Sequence, residues 1–342
     1  MKPEGWTPTA PVRDYTANRR ADAPKAIDWR YTEAVTAIKN QGQCGSCCKR
    51  LSGALALPPA WRSPASRPSL LSLSHPLPSP SLAHPHPLLH PRPGAFSATE
   101  AVESQLVLSS GSKLRLELSP QQITSCTPDT GTYGSLGCNG GFTEGAYQYL
   151  TTVPGLTNSF YVPYAQSLTA ASATMACPTS KIAAMDGELE QLSGGYAAVS
   201  GYHYAVSPCV SGGCTKQDLT KLQAALETTP VSVCVNAGAW NDYTGGVMTS
   251  AACGSMAADA QDHCVMATGF NTTAPTPYWI VRNSWASTWG EDGYVYLEMA
   301  KNTCGLADDV TIPEVALDLS DNEKKEAAVR REQIYQKAIQ AH

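Results

Sequence analysis

A proline-rich segment, residues 48–94, divides the chain into two parts. These two parts must supply the regular secondary structure of the fold. The segment holds 11 of the 25 prolines and four of the seven histidines, with serine and leucine between them. Proline fixes φ and removes a backbone donor, so such a run cannot form the interior of a helix or strand. We predict a disordered segment, with an ordered surface loop as the alternative. A metal-binding histidine tract is disfavoured, because every one of these histidines adjoins a proline.

Composition indicates a globular protein. Of the 342 residues, 42% are apolar and 8% aromatic, enough for one large domain or two ordinary ones. The net charge is −5, although residues 48–94 contain five basic side chains and no acidic one. The rest of the chain is therefore clearly acidic, which argues against nucleic-acid binding. No apolar run approaches the length of a membrane span.

The periodicity of the sequence predicts helices first and strands later. Helices are expected at 95–108, from the Ser119-Pro120 cap onward, at 143–151 and at 215–227, and a helix-compatible stretch reaches Lys39 after Trp29. Strands are expected at 231–235, 263–270, 278–283 and 293–298. Residues 320–342 read as a charged helical extension with a thin apolar face. This order favours an α+β fold.

Two separated stretches read as one motif. Residues 41–47 are Q-G-Q-C-G-S-C and residues 95–100 are A-F-S-A-T-E. Downstream, His263 stands in D-H-C at the start of a strand, and Asn283 follows in N-S-W. A cysteine nucleophile needs an imidazole, a group that orients it and donors for the oxyanion. These residues supply all of them in the order Cys, His, Asn.

Joined through a single Trp, the two stretches become Q-G-Q-C-G-S-C-W-A-F-S-A-T-E. This string resembles the active-site signature of the papain family of cysteine proteases. The resemblance implies a papain-like fold in two parts, a mainly helical half and an antiparallel β-barrel-like half, with the active-site cleft between them. It implies Cys47 as nucleophile, His263 as general base and acid, Asn283 as the group that holds the imidazole under Trp285, and Gln41 as an oxyanion donor.

We hypothesise that residues 48–94 are a translated intron. Cys48-Lys49 can be encoded T-GT-AAG, which contains a splice donor, and Pro93-Gly94 can be encoded CCA-G-GG, which contains an acceptor. Joining the outer bases gives TGG, the Trp codon that the motif lacks. Sequencing a transcript across the codons for Cys47 and Ala95 tests this hypothesis, and finding only the long form would contradict it.

The resemblance also implies the substrate-binding residues. Two glycines would hold the substrate backbone as an extended strand, and five further residues would build the main specificity pocket. The glycines are Gly140 and Gly141; the pocket residues are Thr143, Cys234, Gln261, Cys264 and, at its floor, Asp309. An acidic floor predicts tolerance of basic as well as apolar side chains at the second position before the cut. The alternative is a surface-facing Asp309 beside Asp308.

Twelve cysteines indicate an oxidising compartment. The resemblance implies the pairs Cys44–Cys138, Cys126–Cys177 and Cys253–Cys304. Cys209 and Cys214 enclose four residues and are expected to close a small loop. Cys234 and Cys264 are expected to face each other either as thiols or as a disulfide.

The expected organisation has three parts. Residues 1–24 would be the tail of a propeptide or a linker, with a maturation cut near Pro24. Residues 25–319 would be the peptidase domain, interrupted by 48–94, and residues 320–342 would be a charged helical extension. The expected partners are protein and peptide substrates and cystatin-like inhibitors, with no metal or organic cofactor and a monomeric state. A signal sequence is expected upstream of Met1, and Asn271 lies in the glycosylation sequon N-T-T. We therefore expect a lysosomal, vacuolar or secreted protein.

Three alternatives stand beside a protease. Cys44 and Cys47 form a C-x-x-C that could belong to a thioredoxin-like redox site, but no βαβ pattern surrounds it. A zinc site at Cys44, Cys47 and Cys48 lacks a second pair of ligands. The third is a catalytically impaired papain-like protein with a binding or regulatory role, because the insertion directly follows the nucleophile.

Overall fold

The computed structural model describes residues 6–42, 44, 94–129, 135–165, 174–183, 195–210, 217–257 and 260–341. Cys47 and residues 48–93, which include nearly all of the segment predicted to be disordered, lie outside these residues. Seven α-helices are described: α1 (Gly94–Ser109), α2 (Pro120–Cys126), α3 (Thr143–Leu150), α4 (Thr179–Ala183), α5 (Leu219–Leu226), α6 (Ser250–Cys253) and α7 (Asp321–Gln340). In this part of the chain no helix has the length and apolarity to cross a bilayer.

One sheet of nine described strands carries the second half of the fold. The strands are β1 (Ala26–Asp28), β2 (Leu156–Thr157), β3 (Tyr196–Tyr204), β4 (Val231–Val235), β5 (Val247–Met248), β6 (His263–Asn271), β7 (Tyr278–Arg282), β8 (Tyr294–Glu298) and β9 (Val310–Ala316). Their order is β2-β3-β9-β4-β6-β7-β8-β5, with β1 also paired to β6. All pairs are antiparallel except β5 with β8. The fold is α+β, and the described strands form an open sheet rather than a closed barrel.

Helix α1 is the central helix of the fold. Of its 16 residues, 13 are buried. It packs on α2 and α3 on one side and on β4, β6 and β9 on the other. An apolar cluster lies on each side: one contains Val102, Leu106 and Tyr147, and the other contains Val107, Leu108 and Val233. The helix therefore joins the helical part of the molecule to the sheet.

Local capping explains where two other helices begin. Ser119 accepts a hydrogen bond from the Gln122 amide at 3.1 Å, and Pro120 occupies the first turn of α2. Helix α7 begins with a complete capping box between Ser320 and Glu323. Both starts were predicted from the sequence.

The helix expected between Trp29 and Lys39 does not form. A single 3₁₀ turn, Trp29–Tyr31, ends at Thr32, which is extended. Beyond it the backbone carbonyls serve other elements: that of Ala34 accepts from the Ser104 hydroxyl at 2.6 Å, and that of Ala37 accepts from the Arg282 guanidinium. Tertiary hydrogen bonds thus replace helical ones in this stretch.

Two of the longer strands, β3 and β9, were not predicted. Strand β3 contains Gly201 and a register shift between Val199 and Gly201, and β9 contains Pro313 in its middle. Glycine and proline within a run argue against a strand when only local sequence is read. The two strands pair with each other across more than 100 residues, and this long-range pairing is not visible in a local pattern.

Candidate active site

His263 and Asn283 lie side by side at the end of the sheet. His263 opens β6, and Asn283 directly follows β7, the antiparallel neighbour of β6. The Nε2 atom of His263 is 2.7 Å from Asn283 Oδ1, and Oδ1 also accepts from the Ser284 amide at 2.8 Å. Because this second bond identifies Oδ1 as the acceptor, Nε2 must carry a proton. In the neutral ring, Nδ1 is then the basic nitrogen.

An aromatic shell encloses the imidazole. The Trp285 ring stacks on His263 with centroids 5.2 Å apart and an interplanar angle of 17°, and Trp240 meets it edge-on at 6.1 Å. His263 is only 1% exposed. Burial lowers the pKa of His263 from its ordinary value of 6.5, although the hydrogen bond to Asn283 acts in the opposite direction. Burial of the ring therefore favours its neutral form.

Gln41 is fixed beside this pair. Its Oε1 accepts from the Ser284 hydroxyl at 2.6 Å, and its backbone amide donates to the Ser284 carbonyl at 2.9 Å. Its Nε2 donates to the carbonyl of Cys44 at 3.2 Å. A carboxamide has two N–H groups, so one more donor is carried by the same nitrogen.

Gly94 begins α1 in very close contact with a loop. Its amide donates to the Gly141 carbonyl at 3.1 Å. A Cβ at residue 94 would lie 2.6 Å from that oxygen and 2.8 Å from the carbonyl carbon of Phe142. A Trp in this position, as the joined motif requires, therefore needs residues 141–143 to shift.

Gly140, which precedes Gly141 in that loop, has a positive φ angle. Gly140 adopts φ 104°, a conformation that favours glycine, and its carbonyl accepts from the Leu136 amide at 2.7 Å. The Gly141 carbonyl is engaged by Gly94. The two predicted substrate-backbone residues thus lie at the N-terminal end of α1.

Four of the five predicted pocket residues lie where β4, β6 and β9 adjoin. They are Cys234, Cys264, Asp309 and Thr143. Cys234 and Cys264 face each other in register, and the Cys234 amide donates to the Asp309 carbonyl at 3.1 Å. Thr143 reaches the neighbouring Thr311 hydroxyl at 3.0 Å. Gln261 lies just before β6 and donates to the Gly305 carbonyl at 3.4 Å. All five are at most 3% exposed, so the region is closed to solvent in this structure. The surface-facing alternative for Asp309 is wrong, because that residue is 1% exposed.

Comparison with known proteins decides the family. The sequence model of the papain family cysteine proteases matches residues 23–75 and 94–314, well over half of the chain. The chain belongs to this family. The unmatched gap, 76–93, falls within the proline-rich segment.

Relatives of this papain-family chain include cathepsins. It is 30% identical over 289 residues to cathepsin O of Homo sapiens, covering 84% of this chain and 65% of the relative. It is 30% identical over 306 residues to a cathepsin L-like proteinase of Fasciola hepatica, covering 88% of this chain and 68% of that relative. The chain thus spans about two thirds of the length of these curated relatives.

Solved structures show the same fold. Digestive procathepsin L2 of Tenebrio molitor aligns with a TM-score of 0.61 at 25% identity, covering 92% of this chain and 76% of that one. Digestive procathepsin L 3 of the same organism aligns with a TM-score of 0.58 at 25% identity, covering 89% and 74%.

The described disulfides of this family member include the three pairs that the resemblance implies. They are Cys44–Cys138, Cys126–Cys177 and Cys253–Cys304. A fourth joins Cys234 to Cys264, which settles the pairing that the sequence left open. Because Cys44 is bonded to Cys138, it serves neither a C-x-x-C redox pair nor a zinc site. Cys214 lies outside the described residues, so its pairing with Cys209 stays a prediction.

Two further polar residues, His203 and the sequon residue Asn271, have structural surroundings of their own. His203 is 2% exposed, and its ring nitrogens contact the Tyr15 hydroxyl at 2.8 Å and Glu314 Oε1 at 3.2 Å. Burial lowers the pKa of His203 to about 4. Asn271 ends β6 and accepts from the Thr273 amide at 2.8 Å. Within the described residues, no group of three or more His, Cys, Asp or Glu side chains could hold a metal ion.

Ser284 is the site residue that sequence reasoning overlooked. It donates its amide to Asn283 Oδ1 and its hydroxyl to Gln41 Oε1, so one residue orients two predicted catalytic side chains. The one sequence signal for a role in the site was its position between Asn283 and Trp285. Serine is common at surfaces and turns, however, and nothing local marked it as a link to residue 41.

Proposed function

We propose that this papain-family chain is a cysteine endopeptidase that hydrolyses peptide bonds through an acyl-enzyme. Cys47 is the nucleophile, His263 the general base and acid, Asn283 the orienting group and Gln41 an oxyanion donor. The observation that carries the proposal is the buried His263–Asn283 hydrogen bond of 2.7 Å. It fixes the tautomer in which Nδ1 can accept a proton.

The reaction then proceeds in two halves. Nδ1 of His263 takes the proton of the Cys47 thiol, and the thiolate attacks the scissile carbonyl carbon. The resulting oxyanion is stabilised by the second Nε2–H of Gln41 and the backbone amide of Cys47. His263 returns its proton to the leaving amine as the C–N bond breaks. Water, deprotonated by the same nitrogen, cleaves the thioester and regenerates the thiol.

Helix α1 supports the nucleophile in the joined sequence, where only the Trp stands between Cys47 and Ala95. The unpaired amides at a helix N-terminus favour a negative charge and lower the pKa of a neighbouring thiol. In the 342-residue chain, 47 residues separate Cys47 from Ala95. We therefore propose that the joined chain, with one Trp in place of 48–94, is the active form.

The test of this mechanism is hydrolysis of a fluorogenic peptide by the joined chain and its Cys47→Ser variant. We expect the variant to fall to the uncatalysed rate, because a hydroxyl is a far weaker nucleophile here than a thiolate. Lys325→Ala, an exposed change on α7, is the matched control and should leave the rate unchanged. Equal rates for the joined chain and Cys47→Ser would contradict the proposal.

We further propose that the chain accepts basic and apolar side chains at the second position before the cut. The support is Asp309, a buried carboxylate next to the Cys234–Cys264 bridge, in a region that Thr143 and Gln261 complete. Gly140 and Gly141 would pair with the substrate backbone, and Trp285 would border the cleft. In the Asp309→Ala variant, cleavage of arginine-bearing peptides should fall about tenfold or more while leucine-bearing peptides change little. Equal loss for both peptides would contradict the pocket assignment.

We also propose a monomeric protein of the secretory pathway, either lysosomal, vacuolar or extracellular, that cystatin-like inhibitors bind. The four described disulfides and the sequon at Asn271 support an oxidising route. Intact-mass measurement before and after deglycosylation tests the use of Asn271, and an unchanged mass would contradict it.

A further inference from the structure

Residues 6–20, called here the N-terminal strap, precede the region that matches the family. The strap begins with Trp6, which is 9% exposed and lies in the apolar cluster that contains Tyr147, Tyr202 and Tyr204. Burying a side chain of this size removes a large apolar area from water. Trp6 is therefore the main apolar anchor of the strap.

Backbone hydrogen bonds hold the next part of the strap to the end of β3. The Tyr204 amide donates to the Pro11 carbonyl at 2.9 Å, and the Arg13 amide donates to the Tyr204 carbonyl at 2.8 Å. Val12 thereby forms a parallel bridge with Tyr204. Thr9 adds a side-chain bond to the Tyr202 hydroxyl at 2.7 Å.

Side chains extend this contact to β9. The Tyr15 hydroxyl lies 2.8 Å from His203 Nε2, and the two rings stack with centroids 5.9 Å apart. Glu314 receives both the Arg13 guanidinium at 2.7 Å and His203 Nδ1 at 3.2 Å. The buried His203 thus contacts Tyr15 of the strap directly and shares the carboxylate of Glu314 with Arg13.

The last part of the strap is fixed by two arginines. Arg19 binds both oxygens of Glu227, directly after α5, with Nε 3.0 Å from each. Arg20 binds both oxygens of Glu332 on α7 and lies 4.2 Å above the ring of Tyr335. Bidentate geometry of this kind gives an arginine–carboxylate pair its specificity.

Helix α7 is itself bound to the domain beyond the point where the family match ends. Ile334 and Ala338 lie in the apolar cluster of the sheet, Tyr335 packs near Trp29, and Lys337 pairs with Glu33 at 2.7 Å. The strap and α7 therefore meet through Arg20. Helix α7 contacts residues on both sides of Pro24, where the cut is predicted: Arg20 before it, and Trp29 and Glu33 after it. None of the strap contacts named above is with Gln41, His263 or Asn283.

We propose that the strap is a permanent part of this protein, bound to a surface formed by β3, β9, the end of α5 and α7. A cut near Pro24 then leaves the strap in place as a second, non-covalently bound chain. Ala21 and Asp22, which connect it to the domain, are exposed and available for such a cut. The strap thus differs from a propeptide that departs on maturation.

The experiment cuts the folded 342-residue protein at a known place, so it does not depend on the proposed peptidase activity. A recognition sequence for an unrelated site-specific protease is inserted between Asp22 and Ala23. The cut protein is passed over a size-exclusion column in native buffer and again in denaturant. We expect the N-terminal fragment to elute with the domain in native buffer and separately in denaturant. Separate elution in native buffer would overturn the proposal.

Variants test which contacts hold the strap, with dissociation followed by a fluorophore on the fragment. Trp6→Ala should speed dissociation about tenfold or more, and Glu332→Ala about threefold. Gln333→Ala, an exposed neighbour on α7, should leave the rate unchanged. If Trp6→Ala and Glu332→Ala dissociate at the wild-type rate, the assigned surface is wrong. Thermal unfolding of each uncut variant confirms that the domain is folded.

Discussion

At the scale of single residues, Ser284 connects the two sides of the candidate site. Its backbone amide fixes Asn283 Oδ1, and its hydroxyl fixes Gln41 Oε1. The first bond orients His263, the proposed general base, through Asn283, and the second turns the Gln41 amide nitrogen away from Ser284. Ser284 touches no reacting atom in the proposed mechanism, so it is a positioning residue.

Removing the Ser284 hydroxyl should weaken only the oxyanion side of the site. Ser284→Ala keeps the backbone bonds to Asn283 and Gln41 but frees the Gln41 carboxamide to rotate. We expect kcat of the joined chain to fall about fivefold with little change in KM, as for the loss of one buried hydrogen bond. Ser284→Thr, which keeps a hydroxyl, should restore part of the rate. A change confined to KM would show that the hydroxyl acts on substrate binding.

At the scale of elements, a buried ion pair joins α1 to β7. Arg282, the residue before Asn283, lies 3.1 Å from Glu100 Oε1, and both side chains are almost fully buried. The pair lacks hydrogen-bond geometry at that oxygen. Burial therefore outweighs the attraction and raises the pKa of Glu100 to about 7.

This shift has a definite effect on stability. A carboxyl whose folded pKa lies above its unfolded value of 4.5 contributes its full stability below pH 4.5 and loses it as pH rises through about 7. Glu100→Gln cannot ionise at this position, whereas the wild type loses stability as Glu100 ionises. The melting temperature of the variant minus that of the wild type should therefore increase as pH rises from 4.5 to 8. Glu326→Gln on the exposed face of α7 is the control and should track the wild type. A constant difference between Glu100→Gln and wild type across this range would contradict the shift.

The elements also show what the sequence could and could not predict. The start of α1, the capped start of α2 and the strands that present His263 and Asn283 were predicted, because each carries a strong local pattern. Strands β3 and β9 were missed because Gly201 and Pro313 interrupt them and their pairing is long-range. The Cys234–Cys264 bridge stayed open because only the register of β4 on β6 places the two residues opposite each other.

The contacts of Ser284 and of the strap lay beyond prediction for the same reason. The bond of Ser284 to Gln41 and the bond of Tyr15 to His203, for example, join residues separated by more than 180 positions. The roles of Gln41, His263 and Asn283 could be expected because a family motif surrounds each of them. No motif surrounds the partners of Trp6 or Arg20.

At the scale of the whole molecule, residues 48–94 separate Cys47 in sequence from α1, the helix proposed to support it. The family match resumes at Gly94, where α1 begins, and the joined sequence places a Trp there. The close contact of Gly94 with Gly141 shows that the loop of residues 141–143 must adjust to that Trp. The joined and the 342-residue chains should therefore differ at this loop as well as at the nucleophile.

The most direct measurement is the rate of hydrolysis of one fluorogenic peptide by the joined chain and by the 342-residue chain, side by side. We expect an active joined chain and a 342-residue chain slower by about a hundredfold or more, because 47 residues separate the proposed nucleophile Cys47 from Ala95 of α1 in the longer chain. Circular dichroism of both proteins shows that each is folded. Equal rates would contradict the account, and so would a joined chain no faster than its Cys47→Ser variant.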